Sequence, residues 1–138
     1  MSSLLNVSES AFLALHGMVI LAKVAPAKVR VKVIASELKA SEAHLAKVFQ
    51  RLQKSGLINS TRGPAGGYSL INSPDEISFL DIYEAIESKV NMDICPFGKL
   101  DCMYDSCFFD SSISVMAQKI YDTFANLKLS DYLKKAEN

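Results

Sequence analysis

Three cysteines, Cys95, Cys102 and Cys107, fall within thirteen residues of one another, spaced C-x6-C-x4-C, and the chain has no others. An odd, tightly clustered set does not suit a disulfide framework, which needs an even count spread along the chain. Thiolates are soft, strong ligands for iron–sulfur clusters and zinc. Three on one irregular segment can converge on a single centre without demanding helix or strand geometry. Paired C-x2-C knuckles are missing, which disfavours a zinc ribbon or finger. Two other readings stay open: a thiol-only redox switch, and three bystander thiols. Residues 91–110 around them have no regular period and carry Pro96, Gly98 and several acidic residues, so the segment reads as a ligand-bearing loop.

The elements that must position this loop follow from hydrophobic periodicity. Ser8 to Val24 reads as a helix, with Ser8 as N-cap and Ala11, Leu15, Met18, Val19 and Ala22 on one stripe. Ala25-Pro26 ends it, because the residue before proline avoids helical geometry. A shorter helix, Val31 to Leu38, turns Ile34, Ala35 and Leu38 inward. Ser41 is placed to cap a third, Glu42 to Lys54, with Leu45, Val48, Phe49 and Leu52 as its apolar stripe and Ser55-Gly56 as its stop. Residues 57–61 and 68–70 flank the Gly/Pro turn 62–67 and read as a β-hairpin. Ser78 with Asp81 predicts a capping box and a helix to about Lys89. Ser111 to Leu127 predicts a long helix striped by Ile113, Met116, Ile120, Phe124 and Leu127, and Ser130 is a candidate cap for a last short turn.

The expected fold is mainly α with a small β-hairpin wing: a winged helix-turn-helix plus a long C-terminal dimerisation helix. Residues 1–72 form the DNA-binding region and residues 73–138 the cysteine loop and dimerisation helix, in one integrated domain. At 138 residues, 49% hydrophobic and 22% charged, the chain is long enough for one core. The N-terminus lacks a secretory pattern. The longest apolar stretch, Ala11 to Ala22, is interrupted by His16 and Gly17 and is too short to span a bilayer. A cytoplasmic protein without a membrane partner is expected.

Formal net charge is zero, but residues 1–62 carry nine Lys/Arg against three Asp/Glu, and residues 63–138 carry six against twelve. A basic front half fits a polyanion. On the third helix Glu42, Ala43, His44, Lys47 and Arg51 are expected to face outward. Lys47 and Arg51 are i, i+4 neighbours suited to phosphates, and Ser41, Ala43 and His44 sit where base contacts occur. In the turn, Arg62 stands beside Gly63, whose lack of a side chain lets the backbone approach a duplex while the arginine enters the minor groove. Periodicity alone would equally allow a solvated basic face and a plain turn; the helix, turn, helix, wing order with basic charge gathered there favours double-stranded DNA. No Ser/His/Asp arrangement or phosphate-cradling loop between strand and helix is present, so an enzyme is not expected.

The runs Ile34-Ala35-Ser36-Glu37-Leu38, Ser41…His44-Leu45…Phe49-Gln50-Arg51-Leu52…Ser55-Gly56-Leu57-Ile58 and Arg62-Gly63-Pro64-Ala65-Gly66-Gly67-Tyr68-Ser69-Leu70 resemble the IscR/NsrR-type (Rrf-two) family of bacterial winged-helix regulators. The resemblance covers nearly the whole chain, and the Arg-Gly-Pro-x-Gly-Gly-Tyr wing is its most specific piece. It implies a homodimeric transcription factor on a partly palindromic operator, with an iron–sulfur cluster, two-iron or four-iron, held by Cys95, Cys102 and Cys107. Such a factor would sense iron–sulfur status, nitric oxide, iron or redox state. The alternative within the same fold is a cluster-free repressor sensing thiol redox state or a small molecule.

Family members complete the cluster with a histidine after the third cysteine or a carboxylate from the first helix. Here the first position holds Asp110; the second holds Phe12, with Glu9 about a turn earlier. Both depart from the pattern. Asp110 is the first candidate for a fourth ligand and Glu9, from the partner subunit, the second; Asp93, Asp101 and Asp105 are weaker candidates, and His16 and His44 are poorly placed.

Overall fold

A computed structural model describes residues 7–92, 103, 105–107 and 112–136. The first helix, α1, runs from Glu9 to Val24, and Ser8 Oγ accepts the Ala11 N–H at 3.1 Å, satisfying one of the amides a helix start leaves over. It buries more than a single stripe: Ala11, Leu13, Ala14, Gly17, Met18, Leu21 and Ala22 are all buried. The reason is that later elements, described below, close on it from several sides.

The next helices, α2 (Val31–Leu38) and α3 (Glu42–Lys54), form the helix-turn-helix. Lys39 turns the chain between them at φ 52°, and Ser41 Oγ accepts the His44 N–H at 3.3 Å to start α3. Leu45, Val48, Phe49 and Leu52 are buried, as their spacing demands. The end of α3 is a Schellman arrangement: the Gly56 N–H donates to Gln53 O at 3.0 Å and the Leu57 N–H to Leu52 O at 3.2 Å. Gly56 takes φ 79°, which is why a glycine stands there.

The wing pairs β1 (Ile58–Thr61) with β2 (Gly67–Leu70), antiparallel, with Ile58 opposite Leu70 and Thr61 opposite Gly67. A further pairing was not foreseen from the sequence. Val29, just before α2, exchanges both backbone hydrogen bonds with Tyr68, at 2.9 and 2.8 Å. The wing is thereby tied to the start of α2 as well as to the end of α3.

The fourth helix, α4 (Phe79–Glu87), starts at the expected capping box, with Ser78 Oγ accepting from Asp81 N at 3.0 Å and Asp81 Oδ2 from Ser78 N at 2.9 Å. It stops at Glu87, two residues before Lys89, because Ser88 turns away at φ 72° and Glu84 Oε1 accepts the Val90 N–H at 3.1 Å. The long helix α5 (Ser112–Asn126) packs on α4, with the rings of Tyr83 and Phe124 6.0 Å apart. The last helix, α6, runs from Leu129 to Ala136. Ser130 is not its cap. The Lys128 N–H donates to Asp131 Oδ2 at 3.1 Å, and buried Leu129 is already inside the helix. Helices α3, α4 and α6 all pack on α1, so one core, from Met18 through Phe49 to Ile82 and Leu129, joins the two ends of the chain.

Candidate nucleic-acid interface and cysteine segment

At about 100° per residue, the side chains of α3 sort into three outer rows around its buried stripe. Ala43, Lys47, Gln50 and Lys54 lie within about 60° of one another and are exposed. Glu42 and Gln53 form one flank, bordering a groove of about 600 Å³ between α3 and the wing. His44 and Arg51 form the other flank, toward α1 and α4.

That second flank departs from expectation. The half-buried His44 ring has Nε2 3.2 Å from Ser10 Oγ and Nδ1 4.0 Å from Glu9 Oε1. The Arg51 guanidinium donates to the Ile86 carbonyl oxygen at the end of α4. Neither side chain points along the outward row, because each stands roughly 80–100° around the helix from Ala43, on the edge where α1 and α4 close on α3. Ser41, Glu42, Ala43 and Lys47 are exposed at the N-terminal half of α3, where a reading helix presents itself to a groove. Gln50 and Lys54 share this row and were missed. The signal was available, since they stand seven and eleven residues after Ala43.

On the wing, Arg62 is exposed and Gly63 adopts φ 102° with open space where a side chain would be. A second arginine, Arg30, donates to Gly63 O at 3.3 Å and to Pro64 O, holding the wing tip toward the start of α2. Arg30, Lys32 and Arg62 all line the groove beside α3. Three cations around one concave surface make it attractive to a phosphate backbone. No local pattern in the sequence marks Arg30, because its contacts span more than thirty residues.

Of the proposed ligand residues, Cys95, Cys102 and Asp110 lie outside the described residues, as do Asp93 and Asp101. Cys107 is described and exposed, as is Asp105. Glu9 stands in the first turn of α1 with its side chain 79% exposed. Among the described residues, no group of three or more His, Cys, Asp or Glu side chains could hold a metal ion.

The α5 stripe divides in two. Phe124 and Leu127 are half-buried against the chain's own core side, whereas Ile113, Met116 and Ile120, nearer the helix start, are exposed, Met116 at 65%. Among the described residues no helix is long and apolar enough to cross a membrane.

The model of the Rrf2 family, whose description is iron-dependent transcriptional regulator, matches residues 7–135. An HTH-type transcriptional regulator of Aquifex aeolicus is 30% identical over 112 residues, covering 79% of this chain and 78% of that protein. The transcriptional regulator IscR of Pectobacterium carotovorum is 32% identical over 98 residues, covering 70% of this chain but only 59% of its own length. Two solved structures share the fold over 96% of the chain. CymR, the global cysteine regulator of B. subtilis, superposes with a TM-score of 0.78 at 25% identity over 98% of its chain. IscR of T. potens does so with 0.77 at 28% identity over 88% of its chain. With the winged helix, its basic groove and a family match over nearly the whole length, this chain belongs to the Rrf2 family and is a DNA-binding transcriptional regulator, not an enzyme.

Proposed function

We propose that this regulator binds a partly palindromic operator as a homodimer in the cytoplasm, with an affinity set by an iron–sulfur cluster on Cys95, Cys102 and Cys107. The observation that carries this reading is the set of three thiols within thirteen residues, in a chain whose family model is described as iron-dependent. The donor chemistry fits such a group, since thiolates are its usual ligands. Cys107, the member of the set that is described, stands exposed, where an added centre can be reached. When bound, an incompletely thiolate-ligated cluster offers an iron at which nitric oxide, oxygen or iron loss can act.

Asp110 and Glu9 remain the proposed sources of the fourth ligand. Glu9 lies at the end of the molecule from which the cysteine segment departs, because neighbouring Ser8 donates to Glu87 Oε1 at the last residue of α4. Its side chain is 79% exposed, with Oε1 4.0 Å from His44 Nδ1.

The exposed Ile113, Met116 and Ile120 supply an apolar face for a second copy across a two-fold axis. Pairing there would set the separation of the two reading helices, which must match one turn of DNA, about 34 Å. On that duplex, Ser41, Glu42, Ala43 and Lys47 would meet base edges and phosphates, with Arg62 and Gly63 at the minor groove.

A second reading is favoured by the likeness to CymR, a cysteine regulator. In it the same thiols, without iron, sense redox state or a small molecule. One experiment separates the two. Protein purified without oxygen is examined for visible absorption, iron and sulfide, alongside Cys102→Ala. The cluster reading expects a coloured wild type and a colourless, folded variant. Equal iron in both, or a colourless iron-free wild type, leaves the thiol-sensing reading.

A further inference from the structure

Three polar contacts meet where the start of α1, the end of α4 and one edge of α3 come together. Ser8 donates to Glu87 Oε1, linking α1 to α4. Ser10 Oγ and His44 Nε2, 3.2 Å apart, link α1 to α3. Arg51 closes the triangle by donating to the Ile86 carbonyl. That oxygen is among the last four of α4, which have no partner within the helix and form the negative end of its dipole. A guanidinium is well matched to it, being a fixed cation with several donors in one plane.

The chain leaves α4 immediately beyond this point. Ser88 turns it at φ 72°, and Cys95 follows eight residues after Glu87. The end of α4 is not free to move alone. Ile82 and Ile86 are buried in the core, and the helix start is held by its capping box. A displacement of the end of α4 would therefore carry the helix with it, and act on whatever grips that end.

We propose that Arg51 is a positioning residue. It ties the orientation of the reading helix to the end of α4, and so carries the state of the cysteine segment to the DNA-facing row of α3. Arg51 stands about 80° around α3 from Ala43, on the opposite side from the wing groove, and its guanidinium is engaged within the protein. His44 supports the same edge about two turns earlier, through Ser10.

This inference rests on the proposed control of DNA affinity through the cysteines, and its test keeps the two apart. A duplex obtained by in vitro selection is titrated with protein purified without oxygen and with the same protein after iron chelation. Wild type, Arg51→Ala and Arg51→Lys are compared, with iron and sulfide measured in each. Wild type is expected to change affinity at least about five-fold between states, and Arg51→Ala less than roughly two-fold at unchanged iron content. Arg51→Lys, which can still donate to the carbonyl, should recover most of the ratio.

An Arg51→Ala protein that binds more weakly in both states, with the wild-type ratio kept, would make Arg51 a phosphate contact and overturn the proposal. No ratio in wild type would remove the cysteine-control reading, and this inference with it. Should Arg51→Ala fail to fold, Ser10→Ala breaks the neighbouring arm. It is expected to reduce the ratio, and an unchanged ratio there also counts against the proposal.

Discussion

A Cβ built on Gly17 would stand 2.6 Å from Cε1 of Phe49, so α1 and α3 cross where only a hydrogen separates backbone from ring. Phe49 is fully buried, and its ring lies edge-on to Tyr68 of the wing at 5.1 Å. The ring cannot yield without disturbing both. Overpacking of this kind costs about 1–3 kcal/mol, against about 1 kcal/mol gained by replacing a mid-helix glycine with alanine. Gly17→Ala should therefore lower stability to denaturant by about 1 kcal/mol, and Gly17→Val by more. A Gly17→Ala protein as stable as wild type would mean that the ring has room to move.

The Ser78–Asp81 capping box predicts a second stability effect. Ser78 is 4% exposed, and its hydroxyl satisfies an amide at the start of α4. Ser78→Ala should cost about 1 kcal/mol, with Ser78→Thr losing much less. Because the two bonds are reciprocal, the Ser78→Ala/Asp81→Ala pair should be less damaging than the sum of the single changes. Strict additivity in urea unfolding would argue against a shared motif.

For DNA, Lys47 and Arg62 should behave differently. Lys47 lies exposed on the outward row of α3; as the proposed phosphate contact, its replacement in Lys47→Ala should weaken binding to all duplexes alike and reduce the salt slope by about 1. Arg62→Ala should weaken binding most on duplexes with a narrow minor groove, which attracts an inserted arginine. Fluorescence anisotropy across a salt series, on two duplexes of different minor-groove width, distinguishes these outcomes.

Wing geometry makes a separate prediction. Gly67 sits at φ 146°, and a Cβ there would meet Val29 O at 2.7 Å, across the strand pairing that anchors β2. Gly67→Ala should detach the wing from α2 and lower DNA affinity several-fold, while circular dichroism at 222 nm, dominated by the helices, changes little. Affinity equal to wild type would show that the wing does not need its tie to Val29.

The divided stripe of α5 separates assembly from folding. The proposed dimer predicts that Ile120→Glu gives a monomer in sedimentation with its fold retained, because Ile120 is exposed in the single chain. Phe124→Ala instead removes a half-buried ring packed on Tyr83 and should lower stability, by less than the about 3–5 kcal/mol that loss of a fully buried ring costs. A dimer that survives Ile120→Glu would place the interface elsewhere.

The amino-acid sequence by itself determined the helices of the winged fold, their caps and the buried stripe of α3. Ser8, Ser41 and Ser78 act within three residues of their own position, and apolar spacing reports a face directly. It also marked Lys47, Arg62 and the clustered cysteines, whose chemistry belongs to residue type and spacing. Only the tertiary structure decided which flank of α3 is free. His44 and Arg51 look as outward as Lys47 on a lone helix, and their polar groups engage neighbouring elements because residues 34 and 35 positions away along the chain supply Ser10 and the Ile86 carbonyl, although Arg51 itself stays exposed. The same is true of Arg30 on the wing tip and of Val29 as a partner for Tyr68. Local periodicity is set by each helix's own geometry, whereas a side chain at the edge of a stripe is oriented by whichever distant element packs beside it.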